Sequence, residues 1–481
     1  MMNQKRMPLV EALTKFAESD PVSFHVPGHK HGALDGSGLL QNLGRYDATE
    51  LTSLDDLHSP EGPIKESMEL LKSHYQSRSS YFLVNGTTVG NITMLLGTCD
   101  PGDIVLIASN SHKSIINACA LSRVRPVFLQ PEIHPATHTP AGISSDVLEK
   151  AVKQYSNVKA LVITYPTYYG HTYPIDALIE TAHKKGILVL VDEAHGAHLT
   201  LGRPFPPSAL RLGADMVVQS AHKTLPAMTM GSYLHIGSDR VDQRKVESIL
   251  SMLQSSSPSY PIMASLDSAR AYLAAFSQED INSFISKRNS FVNKLRKLPT
   301  VTVIEPEDPL KLVLRVNGYT GYELQKLLER YSIYIELADL LQVLMILPLL
   351  QENVSYDDSF SRMIMAMDQI TDQTPVAGDI FPDYITLQEQ ESITELDLEL
   401  NRAENAPSHW INIKKAAGRI AAESIVPYPP GIPFVIAGER LSENKINQLA
   451  AWKGKGIRIQ GENRIDSGEI KVVQVMEESN D

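Results

Sequence analysis

Between about residue 80 and residue 237 the chain alternates short, β-branched apolar runs with stretches whose apolar residues recur every three or four positions. The first pattern predicts strands and the second helices, and their alternation predicts a parallel sheet covered by helices. Strands are predicted at YFLV (81–84), DIVLIA (103–108), RPVFLQ (125–130), ALVITY (160–165), ILVLVDEA (187–194), DMVVQS (215–220) and SYLHIG (232–237). Helices fall between several of them, at 88–98, 112–122, 145–155 and 175–185, the last led by YPID and closed by Gly186. ILVLVD is apolar on both faces, as a central strand is. The expectation is an α/β fold whose large domain holds a mostly parallel seven-stranded sheet.

The pattern changes after residue 237. A helical region follows (about 239–296), broken by the polar QSSSPSYP at 254–261. Residues 300–372 then read strand, strand, helix, strand, helix, which predicts a separate small α+β unit. The acidic LQEQESITELDLELNRAE (387–404) reads as linker plus helix, and VPYPPGIPFVIAGE (426–439) as a Pro/Gly-rich loop before a terminal segment. There is no internal repeat and no low-complexity tract.

Composition narrows the class. The 481 residues allow two or three domains, and 43% hydrophobic with 21% charged residues is ordinary for a globular protein. A net charge of −12 argues against a nucleic-acid binder and suits a small cationic substrate. Only Cys99 and Cys119 occur, too few for a disulfide framework, which fits a reducing cytoplasm. The N-terminus lacks the apolar core of a secretory signal, and the most apolar run, LLQVLMILPLL (340–350), is too short and interrupted to cross a membrane.

Four pieces carry chemistry. NGTTVGN (85–91) stands between a strand and a helix: Gly86 permits close backbone approach, Thr87 and Thr88 bring hydroxyls, and the helix N-terminus brings free N–H groups. It reads equally as a phosphate cup or as simple N-capping by threonine. SNSHKSIINA (109–118) places His112 at a second strand-to-helix turn, as a flat ring against a ligand or only as a polar residue near a helix end. VLVDEAHGAHL (189–199) sets an acidic pair at the carboxyl end of the central strand, the edge where doubly wound sheets bind ligands. Asp192 there needs a cationic or N–H partner, and a helix-capping role is less attractive after so apolar a strand. VVQSAHKTLPAMTMGSYLHIG (217–237) clusters Ser220, His222, Lys223 and Thr224 between two apolar strands. DEAH is also a helicase-type motif, but that reading needs an upstream G-x-x-x-x-G-K-[ST] loop, and KGKG (453–456) is far downstream with the wrong spacing.

Phosphate cup, stacking histidine, acid and lysine resemble, in this order, the pyridoxal-phosphate (PLP) enzymes of the aspartate-aminotransferase fold, fold type I. Asp192 precedes Lys223 by 31 residues, a separation typical of that fold. The likeness sharpens with FHVPGHKHG (24–32), LDDLHSPEGPIKES (54–67), SHKS (111–114), VDEAHG (191–196), SAHK (220–223) and YPPGIP (428–433), which resemble the signatures of the Orn/Lys/Arg decarboxylase family. PGHK and YPPGIP are the specific ones, since aminotransferases do not carry them. The first motif begins at residue 24, which resembles the short Gram-positive-type members and leaves no room for the flavodoxin-like wing of longer ones. Pro226, soon after Lys223, restricts a loop that shapes the pocket.

The resemblance implies a division into 1–60, which contributes to a dimer and its active site, a PLP-binding large domain at 61–296, a small α+β domain at 297–374 and a C-terminal decarboxylase domain at 375–481. It implies that Lys223 forms the Schiff base with PLP beside His222, that Asp192 pairs with the pyridine nitrogen, and that His112 stacks on the ring. Thr87, Thr88 and Ser220 would hold the phosphate, Ala194 would pack beneath the ring, and Gly86 and His195 complete the implied cofactor set. Lys223, His222 and Asp192 are the implied catalytic residues; no metal is assigned. The implied substrate is a basic amino acid, arginine favoured over lysine or ornithine, decarboxylated to a polyamine-pathway amine by a cytoplasmic homodimer or dimer-based oligomer. His29, Asp55, Asp56, Glu336 and Asp339 are the substrate candidates, with solvated or helix-capping acids as the alternative for the four carboxylates. Rival readings are an aminotransferase, an α-oxoamine synthase, or a non-catalytic homologue that regulates a true decarboxylase.

Overall fold

The computed structural model describes residues 2–19, 42–372, 391–427, 431–452, 457–461 and 464–474. His29 and the FHVPGHKHG motif, the boundary expected near 375, KGKG and the first three residues of YPPGIP lie outside the described residues.

Each of the seven predicted strands is present: β1 Ser79–Leu83, β2 Ile104–Ala108, β3 Arg125–Leu129, β4 Val158–Thr164, β5 Leu188–Asp192, β6 Met216–Gln219 and β7 Ser232–Ile236. Four more, β8 Val301–Ile304, β9 Lys311–Val316, β10 Leu337–Ala338 and β11 Val343–Ile346, form a separate antiparallel sheet in the order β10-β11-β9-β8. A further short strand, β12 Ile393–Glu395, pairs antiparallel with β3, so the large sheet has eight strands in the order β1-β7-β6-β5-β4-β2-β3-β12. The eighth strand corrects the linker-plus-helix reading of 387–404. It is three residues long and polar, so periodicity does not mark it; the open edge of β3, an Arg125–Glu395 ion pair at 2.5 Å and a Tyr155–Glu395 hydrogen bond at 2.6 Å define it.

β3, β2, β4, β5 and β6 run parallel, and β7 turns back antiparallel between β6 and β1. Both faces of this sheet are covered, which is why β5 is apolar throughout: Val189 and Val191 enter one core and Leu188 and Leu190 the other. The helix Gly86–Thr98 lies so close to the sheet that a Cβ on Gly90 would stand 2.3 Å from Val218 Cγ2. That glycine is set by helix–sheet packing. The parallel strands all release their chain at one edge, and there Asp192 ends β5 and Ser220 follows β6.

Candidate functional site

A cavity of about 1610 Å³ opens at this edge, larger than a small amino acid alone requires. Gly86, Thr87, Thr88, His112, Asp192, Ala194, His195, Ser220, His222 and Lys223 all line it, although they come from four separate segments of the chain. Pro427, Ile432 and Pro433 close it from the C-terminal side. The Gly431 carbonyl accepts from the Lys113 N–H at 3.0 Å, which ties the end of YPPGIP to the helix that begins beside His112.

Strand alternation separates the two acids of DEAH. Glu193 points away from the cavity, where its carboxyl accepts from the Ala209 N–H, the Ser208 hydroxyl and the Gln219 amide at 2.7, 2.8 and 2.5 Å. Burial outweighs those donors and raises it to about 7. Asp192 faces the cavity, accepting from Asn91 Nδ2 at 2.9 Å and the Ala194 N–H at 3.1 Å. It is 3% exposed and forms no ion pair among the described residues. A buried carboxylate in that state favours a cationic partner from the cavity.

Asn91 is fully buried and belongs to a chain of contacts that sequence reasoning missed. Its Nδ2 also donates to Ser114 Oγ at 2.8 Å, and that hydroxyl donates to His112 Nδ1 at 2.8 Å. Nδ1 also accepts the Ser114 N–H at 3.2 Å, so neutral His112 carries its proton on Nε2. Burial holds this histidine below its ordinary value, opposed by the Asp192 charge. The legible signal was a polar residue on an otherwise apolar helix face.

At the cup, the N-cap position of helix Gly86–Thr98 makes no side-chain capping bond. The N-cap residue is Asn85 rather than a threonine, so the capping alternative does not apply; the Gly86 N–H donates to the Met230 carbonyl at 2.9 Å, and Thr87 and Thr88 of the first turn line the cavity beside Ser220, whose hydroxyl lies 3.2 Å from that of Thr87. Gly86 sits at φ +72 with nothing near its missing Cβ, a conformation that favours glycine.

Lys223 lies in the short helix Ala221–Thr224. Its Nζ is 3.2 Å from His195 Nε2, and His195 Nδ1 is 2.9 Å from the Nζ of Lys311, at the start of β9. The Tyr168 ring packs edge-on against His195 at 4.4 Å, and its hydroxyl donates to Glu336 at 2.5 Å. Burial lowers Lys223, opposed by the charges of Asp192 and Glu336. His222 gives its Nδ1 proton to the Gly231 carbonyl at 3.0 Å, leaving Nε2 as the ring's acceptor. Lys311 and Tyr168 were not picked out from sequence, because a lysine opening a strand and a tyrosine in a loop read as surface residues.

The substrate candidates separate. Glu336 is exposed and lines the cavity. Asp339 also borders it, but its oxygens accept from the Leu341 and Gln342 N–H groups, the Gln342 amide and the Tyr169 hydroxyl, so they are already committed. Asp55 takes the capping alternative: its carboxylate accepts from the N–H groups of Glu61, Gly62, Ile64 and Lys65, at the start of helix Pro63–Tyr75. Asp56 accepts from the His58 N–H at 2.8 Å, and neither Asp55 nor Asp56 lines the cavity of this chain. Among the described residues one group has metal-ligand chemistry, His134, His171 and Glu307, but its two rings stack at 3.5 Å and 15°, which directs their lone pairs side by side rather than toward one point.

The major-domain model of the Orn/Lys/Arg decarboxylases matches residues 7–313 and their C-terminal-domain model matches 399–453. The chain is 42% identical to Bacillus subtilis "Uncharacterized protein YaaO" (97% of this chain, 98% of the relative) and 34% identical to the arginine decarboxylase of the same organism (96% of each). Its fold matches the constitutive lysine decarboxylase of E. coli with a TM-score of 0.81 at 20% identity, over 98% of this chain and 82% of that one. With both family models on the chain and a relative named arginine decarboxylase matched over nearly all of it, the protein is a decarboxylase belonging to the Orn/Lys/Arg decarboxylase family.

Proposed function

We propose that this protein decarboxylates a basic amino acid, arginine in the first place, with pyridoxal phosphate as cofactor. The observation that carries the reading is the pairing, in one cavity, of a buried carboxylate that has no ion-pair partner among the described residues, Asp192, with a half-buried lysine, Lys223. The residues fit the cofactor: the uncapped helix start at Gly86 with the Thr87, Thr88 and Ser220 hydroxyls suits a phosphate, and Asp192 suits a protonated ring nitrogen. Bound there, the cofactor supplies a sink for the electron pair left at Cα when the carboxylate departs as CO₂.

The chain's residues do the rest. Asp192, fixed by Asn91 and the Ala194 N–H, would hold a proton at the ring nitrogen and so favour the cofactor's role as a sink. His112 and Ala194, which both line the cavity, would be the residues packed against the ring, the histidine by its flat face and the alanine by its small size. Lys223 would be the amine that holds the cofactor and a proton donor toward Cα, with His222 Nε2 as the second candidate acid. Glu336, exposed in the cavity and fixed by Tyr168, is the carboxylate for the substrate's cationic end. Arginine is favoured because the 34%-identical relative named arginine decarboxylase is matched over 96% of both chains, whereas the E. coli inducible lysine decarboxylase matches at 26% over 61% of this chain. A cytoplasmic homodimer, feeding polyamine synthesis and divided at about residues 60, 296 and 374, completes the proposal.

The test is amine formation and CO₂ release with PLP and, separately, arginine, lysine and ornithine, with Lys223→Ala as control. One amine, absent in the control, supports the reading and names the substrate. A yellow protein that releases no CO₂ from any of the three overturns it in favour of another fold type I reaction or a regulatory role.

A further inference from the structure

His195 is held between two lysines, and a neutral imidazole has one N–H and one acceptor nitrogen. With Lys311 Nζ at 2.9 Å from Nδ1 and Lys223 Nζ at 3.2 Å from Nε2, the two amines cannot both be ammonium groups donating to it. If Nδ1 accepts from a charged Lys311, then Nε2–H donates and Lys223 must offer its lone pair. The opposite tautomer reverses the roles. The chain therefore has to choose which lysine keeps a proton.

The surroundings make the choice. His195 is itself held neutral, well below its ordinary value, by burial and by the two lysines. Lys311 is fully buried and faces His195, the Tyr168 ring at 5.9 Å, and the charges of Asp308, Glu336 and Lys223. Asp308 is fully buried too; its Oδ1 accepts from His198 and the Leu310 N–H, while Oδ2 has no hydrogen-bond partner among the described residues. Lys223 faces His195, His222, His112, the Tyr168 ring at 5.8 Å and the charges of Asp192 and Glu336. Glu336 is exposed to water, and Asp192 is already bound by Asn91 and the Ala194 N–H. A charge screened by water counts for less than one in the interior, so the Asp308 side is the better place for the proton. Room for the Lys311 stem is built in, since a Cβ on Gly170 would stand 2.5 Å from Lys311 Cγ.

We propose that Lys311 is a positioning residue: it keeps a proton, fixes His195 with Nε2–H toward Lys223, and thereby holds Lys223 as a neutral, nucleophilic amine before the cofactor arrives. The proposal rests on the reading of Lys223 as the reactive amine. Burial, which lowers Lys311 to about 8, still leaves it mostly charged at pH 7.

The test needs no turnover. Full-length protein freed of cofactor with hydroxylamine is labelled with acetic anhydride across a pH series, and modification of Lys223 is followed by peptide mass spectrometry against Lys153, whose side chain is 75% exposed. In the unmodified chain, Lys223 is expected to reach half-maximal reactivity at least about one pH unit below Lys153. Lys311→Met removes a positive charge and frees Nε2 to accept, so both effects move the Lys223 midpoint upward, by about one unit or more, and cut labelling at pH 7 by about tenfold. Lys311→Arg, which keeps donor and charge, is expected to stay near the unmodified midpoint. An unmoved midpoint in Lys311→Met, or an equal shift in Lys311→Arg, overturns the proposal. Should the methionine variant fail to fold by circular dichroism, the unmodified chain decides, since a Lys223 titrating with Lys153 also overturns it. Loss of decarboxylation with the shift intact would count against the proposed function alone.

Discussion

Asn91 Nδ2 lies 2.9 Å from Oδ2 of Asp192, so a helix residue from the phosphate-cup motif holds the acid at the end of the central strand. The same amide reaches Ser114, and through it His112, so three motifs separated in sequence share one hydrogen-bonded line. Asn91→Ala takes a buried donor from both Ser114 and Asp192, leaving Asp192 with the Ala194 N–H. Urea unfolding is expected to show a loss of about 1–3 kcal/mol, and absorbance titration a several-fold weaker hold on pyridoxal phosphate. A variant with unchanged stability and unchanged cofactor binding would remove Asn91 from the site.

The acidic candidates differ in kind, and two variants expose it. Asp55→Ala removes the acceptor of four backbone N–H groups at the start of helix Pro63–Tyr75 and should cost about 1–3 kcal/mol of stability. Glu336→Gln should leave the urea midpoint nearly unchanged and raise KM for the cationic substrate on the order of 10- to 100-fold, the worth of one charged hydrogen bond. Unfolding curves and steady-state kinetics on both proteins check the contrast; a KM unaltered in Glu336→Gln would move the cationic subsite elsewhere.

Acid should loosen the fold through two histidines, the buried His235 and the half-buried His74. Burial pushes His235 down to about 3 and His74 down to about 4, both from an ordinary 6.5. The unfolded chain binds the protons that the folded one refuses, so their contribution is complete above the unfolded value and is lost as pH falls from 6.5 through the folded values. Glu193 opposes them: raised from 4.5 to about 7, it adds stability as pH falls from 7 to 4.5 and none further below. Two histidines exceed one carboxyl, and below that range they act without it. The urea midpoint is expected to fall below about pH 6, and His235→Gln to flatten the slope. An identical pH slope in that variant would mean that His235 is not the residue that resists the proton.

Gly90 tests the packing of the cup helix. A methyl there would meet Val218 at 2.3 Å and Leu83 Cδ1 at 2.9 Å, both inside the core. Gly90→Ala is expected to cost about 1–3 kcal/mol by overpacking. Calorimetry of the cofactor-free chain reads this directly, and a neutral substitution would show that the helix can move off the sheet.

What the sequence by itself determined was the large sheet and the chemistry at its edge. β-branched runs, helical periodicity and Gly/Pro punctuation are local signals, and they delineated β1 to β7 and placed Asp192, Lys223 and the Gly86 turn at chain positions that a parallel sheet carries to one edge. Tertiary structure decided the partners. Asp192 and Glu193 are neighbours in sequence, yet strand alternation sends one to the cavity and the other into a hydrogen-bonded core network. Asp55 and Glu336 are both plain acids in the sequence, and only the neighbourhood of each separates a helix cap from a cavity carboxylate. Lys311 reaches His195 across 116 positions of chain, and β12 exists because the edge of β3 is open to it. Such relationships depend on where distant segments pack, and a hydrogen bond or ion pair of this kind leaves no periodicity in the chain that forms it.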